Sequence, residues 1–287
     1  MSIPSKISLF KLLPVFVFGL FISCSGPVKE TKTSYVKIVT DKGDIVVKLY
    51  DKTPKHRDNF LRLVKEQKYD SLLFHRVIQG FVIQGGDPDS KYASPTDTLG
   101  EGDLEYTIPA EIDSSLFHKR GALGAARDGN PERASSAMQF YIVQGKVVND
   151  SLLDVAEGRI NGWLAQHYYI NDPANRSLRD SLQRTIDSKD WEQYEVYDDS
   201  VRKEAKTYTN FTKYTIPMSH REVYKTLGGI PHLDQNYTVF GEVVSGMNVV
   251  DSIAAVKTDT LDRPVKDVRI RSMIIVKDLT SFSHKTK

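Results

Sequence analysis

Residues 35–40 and 44–50 alternate polar and β-branched side chains around Asp41-Lys42-Gly43, the period of a half-solvated antiparallel hairpin turned on a glycine. The period then changes. Thr53 offers a capping oxygen, Pro54 suits a first helical position, and Phe60, Leu63, Val64 and Gln67 recur at helical spacing, which predicts a helix over 54–67. Strand-like runs follow at 72–78 and 81–84, then a glycine break at Gly85-Gly86 and a polar loop from 88 to about 103. Further strands are predicted at 121–126, 139–143, 238–244 and 268–276, with a short helix at 247–256. Many short strands with two helices predict a mainly β fold, a closed antiparallel barrel capped by the helices.

Residues 143–230 break this rhythm with helical spacing and heavy charge: Leu152, Val155, Ile160, Trp163 and Leu164 in one segment, Leu178, Leu182 and Ile186 in another. They predict an α-helical insertion. Its aromatics, Trp163, Tyr168, Tyr169, Trp191, Tyr194 and Tyr197, read as the private core of that insertion, with an extended peptide-binding face as the alternative. No fixed-period repeat supports a solenoid or propeller.

The first residues follow another logic. Lys6 and Lys11 precede the apolar run Leu12 to Ile22, too short to span a bilayer but suited to a signal peptide. The single cysteine, Cys24, follows Phe21-Ile22-Ser23 in an arrangement that resembles the lipobox of bacterial lipoproteins. That reading makes 1–23 a signal peptide, Cys24 the lipidated first residue of the mature chain, and 24–34 a polar tether. Ser25 resembles the residue found there in lipoproteins sorted to the outer membrane, so the expected location is that membrane, facing the periplasm. Across the 287 residues, 39 Lys and Arg face 37 Asp and Glu, a formal charge of +2 with no dense basic block, which argues against a nucleic-acid partner.

Chemistry concentrates in Phe74-His75-Arg76-Val77-Ile78-Gln79-Gly80-Phe81-Val82-Ile83-Gln84-Gly85-Gly86-Asp87, where one arginine stands among apolar strand residues. A guanidinium there needs partners for five donors and does not deprotonate near neutral pH, so it acts as a fixed hydrogen-bond donor, not an acid. Rotation about an X–Pro bond is a reaction that needs only such a donor beside an apolar pocket. Its barrier of roughly 18–20 kcal/mol reflects amide resonance, which is lost when the bond twists and the prolyl nitrogen regains a lone pair.

This segment resembles the signature of the cyclophilins, and the resemblance extends through the flanking strands and the preceding helix. It implies an eight-stranded barrel and prolyl isomerase activity over residues 35–142 and 231–279, with 280–287 as a tail. It implies that Arg76 is the catalytic arginine, Phe81 the floor of the proline pocket, Val82 part of its wall, and Gln84 the residue that positions arginine and substrate carbonyl. Gly121-Ala122-Leu123-Gly124-Ala125-Ala126-Arg127 resembles the family's peptide-receiving strand and offers Ala126 and Arg127. Ser135-Ser136-Ala137-Met138-Gln139-Phe140-Tyr141-Ile142 resembles a further block and offers Gln139 and Tyr141, although Ala137-Met138 departs from the usual Gly-Ser. The block from His232 through Leu233-Asp234 to Val244 offers Leu233 and Tyr237 as pocket residues, with His232 where eukaryotic members commonly carry tryptophan.

Other features read as structural. His75 is expected to be a hydrogen-bonded core histidine, Gly85-Gly86-Asp87 a tight turn rather than a phosphate loop, and Ser135-Ser136 a loop. His56, His118 and His232 have unrelated spacings, so neither metal nor cofactor is expected. The insertion leaves the barrel near Tyr141 and returns before His232, so it is expected to overhang one end of the cleft and select clients. The resulting expectation is a monomeric isomerase that meets proline-containing unfolded or exported polypeptides, with a cyclophilin-like binding module or periplasmic chaperone as the alternative.

Overall fold

The computed structural model describes residues 34–276, so Cys24, the expected signal peptide at 1–23 and the expected tail at 280–287 lie outside the described residues. Strands β1 (Ser34–Thr40) and β2 (Gly43–Leu49) form the expected hairpin, with Thr40 opposite Gly43. Helix α1 (Pro54–Lys65) buries His56, Phe60, Leu63 and Val64. It ends earlier than its pattern predicts, because Gln67 takes a left-handed turn at φ 55°. Thr53 does not cap it: its hydroxyl is buried and unpartnered, and the Glu111 carboxylate accepts the Lys55 and His56 amides at 3.1 and 3.0 Å. A carboxylate from a distant loop thus supplies the negative charge that a helix start attracts.

Strands β3 (Arg76–Val77), β4 (Val82–Gly85), β5 (Thr107–Ile108), β6 (Ala122–Ala125), β7 (Ser135–Ser136) and β8 (Phe140–Val143) come next. Four helices follow: α2 (Asp150–Asn171), α3 (Arg176–Asp187), α4 (Trp191–Glu204) and α5 (Met218–Thr226). Strand β9 (Val239–Ser245), helix α6 (Met247–Ala254) and strand β10 (Ile270–Val276) complete the described chain. Eight strands form one sheet in the order β10-β1-β2-β9-β6-β8-β4-β3, while β5 and β7 pair separately, so Ser135-Ser136 is a short strand rather than a loop.

The sheet is an open half-barrel, which corrects the closed barrel expected from the strand count. Its edges, β3 and β10, form no ladder with each other. The chain before β3 meets the other edge through an isolated Leu73–Arg269 bridge, flanked by bonds from Phe74 to Val268 and from Ile270 to Leu72. The reason is local. Strand β3 is only two residues long, and the Val77 amide donates to the Asp262 carbonyl of a loop instead of to a strand.

The two faces of the sheet divide the work by the period-two rule. Val77, Ile83, Ile142 and Leu123 are successive cross-strand neighbours whose side chains enter the main core, where they join Phe60, Tyr69, Phe74, Phe140 and Phe240. The adjacent row, Arg76, Gln84, Tyr141 and Gly124, therefore falls on the opposite face. That face gathers a second cluster of Val82, Tyr141, Val143, Leu233 and Val239, with Trp163 of α2 packed against it.

Candidate active site

The outward-facing row builds a groove of about 340 Å³. Arg76, Phe81, Val82, Gln84, Ala126, Arg127, Tyr141, Leu233 and Tyr237 all line it. Gln139 lines an adjoining arm that shares Gln84, Ala126 and Arg127 with it. All the positions singled out within the described residues therefore converge on one connected cleft.

Cross-strand register sets the polar rail. Arg76 lies opposite Gln84, and its Nη1 donates to Gln84 Oε1 at 3.4 Å. Gln84 Nε2 in turn donates to Gln139 Oε1 at 3.0 Å, while Gln139 Nε2 donates to the carbonyls of Gly100 and Gly102 at 2.8 Å each. Both amides are thereby locked in orientation. On its other side Arg76 Nε is 3.7 Å from Asp262. With the side chain 41% exposed, the guanidinium sits at a groove mouth rather than inside an apolar wall, and it keeps donors to spare.

The apolar side is equally fixed. Phe81 stacks on His232 with ring centroids 6.0 Å apart and planes 2° apart. Tyr141 fits because its neighbour across the ladder is Gly124: a Cβ there would come within 2.3 Å of the tyrosine ring. Beneath the groove, His118 Nε2 is 2.8 Å from the Tyr141 hydroxyl, and His118 Nδ1 is 2.8 Å from Asp234. Tyr224 of α5 donates to the same aspartate at 2.7 Å. With Nδ1–H donating to the carboxylate, Nε2 accepts from Tyr141, and burial holds that phenol well above its usual pKa and keeps it a donor. Asp234 and His118 thus position Tyr141.

Several expectations need revision here. His75 is buried, but both ring nitrogens lack hydrogen-bond partners, so it is not the satisfied core histidine expected. Burial pushes its pKa down to about 4, so the ring stays neutral near pH 7 and its isolation costs less than an isolated ion would. Met138 does not disturb the register: it is buried in the main core, and Asp103 accepts its amide and that of Ala137, both at 3.0 Å. The insertion's aromatics divide between both proposed roles. Tyr169, Tyr194 and Tyr197 pack around Ile170, Leu182 and Val201, whereas Trp163 packs on the barrel and Trp191 lines the arm beside Gln139.

Sequence reasoning missed Asp262, Leu261, Leu99 and Glu101, which loops bring to the groove, and the role of His118. No spacing connects these residues to Arg76 or Tyr141. Asp234 alone carried a signal, as the neighbour of Leu233 in the third block.

A family model described as cyclophilin type peptidyl-prolyl cis-trans isomerase/CLD matches residues 35–170 and 164–275. The chain belongs to this family of enzymes. A Staphylococcus epidermidis protein named "Putative peptidyl-prolyl cis-trans isomerase" is 30% identical over 249 residues, covering 85% of this chain and 94% of that protein. A Staphylococcus aureus protein of the same name matches with the same identity and coverage. The crystal structure of a Cryptosporidium parvum cyclophilin type peptidyl-prolyl cis-trans isomerase superposes with a TM-score of 0.50 at 19% identity, covering 86% of this chain and 99% of that one, a likeness of fold.

Proposed function

We propose that the chain isomerises X–Pro bonds of unfolded or exported polypeptides, with Arg76 donating to the prolyl nitrogen while the bond is twisted. One observation carries this reading. A guanidinium oriented by Gln84 and Asp262 stands at the rim of an apolar pocket formed by Phe81, Val82, Tyr141 and Leu233. The pocket receives the pyrrolidine ring, and Gln84 and Gln139 orient the flanking peptide. The donor gains most when the nitrogen pyramidalises, so the interaction favours the transition state over either planar isomer. A bound polypeptide covers the half-exposed guanidinium and strengthens the bond by excluding water. Shortening an uncatalysed time of ~10–100 s by about 10⁴-fold requires ~5–6 kcal/mol, within reach of one charged donor plus orientation.

Arg76→Ala is expected to lower kcat/KM in a prolyl-peptide assay by about 10²–10³-fold, the scale of losing one preorganised donor, with an unchanged circular dichroism spectrum. Parental activity in that variant would overturn the mechanism. The apolar run before Cys24 supports a client pool at the cell envelope, with the enzyme tethered through a lipidated cysteine. Cys24→Ala is expected to lose fatty-acid labelling and membrane association together; retention on membranes counts against the anchor.

A further inference from the structure

Behind the wall that Arg127 and Tyr237 give the groove lies a second chamber, closed on its far side by the insertion. Its volume of about 140 Å³ leaves room for a side chain. Two arginines converge on it. Arg127 Nε and Nη1 donate to the carbonyls of Asn236 and Asp128 at 2.9 and 2.7 Å, and its guanidinium lies 4.7 Å from the centre of the Tyr237 ring. Arg133 Nη1 donates to the Gln235 carbonyl at 2.5 Å, while its Nε is buried without a partner.

Among the described residues, neither guanidinium has a carboxylate within ion-pair distance. Glu132 is bound to Arg179, and Asp128 accepts from Asn130 at 2.6 Å. Asp198, the carboxylate in the chamber's lining, is bound to Arg202. Neutral carbonyls orient the two cations without cancelling their charge. Burial and the facing Arg127 lower the Arg133 pKa to about 10, and burial with the same two arginines holds His167 neutral, at about 4. Paired, partly desolvated guanidiniums without an anion make a receptor for a carboxylate, which Arg binds through charge-assisted hydrogen bonds.

We propose that this chamber takes a carboxylate of the substrate polypeptide, with Arg133 as the residue that sets the preference for acidic segments near the isomerised proline. The inference rests on the reading of the groove as a polypeptide site. Arg127 and Tyr237 line both cavities, so the chamber adjoins the groove, and binding there requires that one side chain or the C-terminus of a bound chain pass beside this pair.

The test compares kcat/KM, by exchange NMR on the full chain, for short N-acetylated single-proline peptides carrying Glu or Gln at successive positions around the proline, each with a free or an amidated C-terminus. The expected result is a Glu-over-Gln preference of about tenfold at one position, the equivalent of one charge-assisted hydrogen bond at ~1.4 kcal/mol. Arg133→Met should bring the ratio close to one, and Arg133→Lys should keep part of it. A preference confined to the free C-terminus identifies the chain end as the source. Equal turnover in every pairing, or a preference that survives Arg133→Met, overturns the proposal. Should Arg133→Met fail to fold, the parental ratios and Arg133→Lys decide. Failure to turn over even the neutral peptides defeats the isomerase reading instead, so the two failures are distinguishable.

Discussion

In the half-barrel, Phe60, Tyr69, Phe74 and Phe140 are at most 2% exposed and meet ring to ring at 5.0–6.2 Å. In the insertion, Val155, Tyr168 and Trp191 remain 43–69% exposed, and the buried residues form two small clusters. The inner cluster, around Leu153, Ile160 and Tyr224, is tied to the barrel: Phe117 stacks on His220 at 3.7 Å and Tyr224 bonds to Asp234. The outer one, around Ile170, Leu182 and Val201, holds α3 and α4 mainly to α2. Helix α5 therefore belongs to the site's foundation, whereas the α3–α4 tip, held by a small cluster and by contacts to Gly129 and Glu132, is the part expected to unfold first.

Of the chain's two tryptophans, Trp163 packs against the sheet and Trp191 begins α4, so in a Trp163→Phe background fluorescence reports the α3–α4 tip, while hydrogen exchange in β1, β2 and β9 follows the strands. The largest expected effect belongs to the barrel. Phe140→Ala removes the ring at the centre of the aromatic cluster and should cost about 3–5 kcal/mol, moving the urea midpoints of both signals together. A loss confined to fluorescence would reverse the assignment of foundation and tip.

Next comes acid. His75 has a folded pKa of about 4 against ~6.5 unfolded, so protonation favours the unfolded chain. Its effect is absent above about pH 6.5 and grows as pH falls towards 4, reaching about 3 kcal/mol. His75→Phe, which replaces two unpaired nitrogens with carbon, should gain on the parent by about that much between pH 7 and pH 4. Parallel pH curves for the two proteins would show that His75 does not titrate in this way.

Smallest is Leu182→Ala. It should cost about 2–3 kcal/mol, but within the tip: hydrogen exchange in α3 and α4 accelerates and the fluorescence transition moves ahead of the strand signal. Coincident transitions would mean that insertion and barrel unfold as one unit, and would break the comparison.

Much of the barrel and its chemistry was legible along the chain. Alternation marks which residues of 35–40 and 44–50 face the core, because side-chain direction in a strand is a local property of the backbone, whereas 140–143 are buried on both faces and carry no such mark. Arg76 stood out because a permanent cation in an apolar strand has few structural uses. Asp262 and His118 left no such mark, since loops of unrelated spacing bring each to its place, and the sequence could not show that the ring of His75 finds no partner. Whether the sheet closes was likewise beyond the pattern: closure depends on a bond between the β3 and β10 edges, which a loop carbonyl at Asp262 captures instead.

The chain's own pattern marks the longer strands and the helical character of the segment between β8 and β9, but not the short β5–β7 pair. Only the tertiary structure decided that Arg76, Gln84 and Tyr141 stand in one row, and that Arg133 meets Arg127 behind it. The periodicity of a strand is written in consecutive residues, whereas the register between strands and the meeting of two loops are set by packing across long separations.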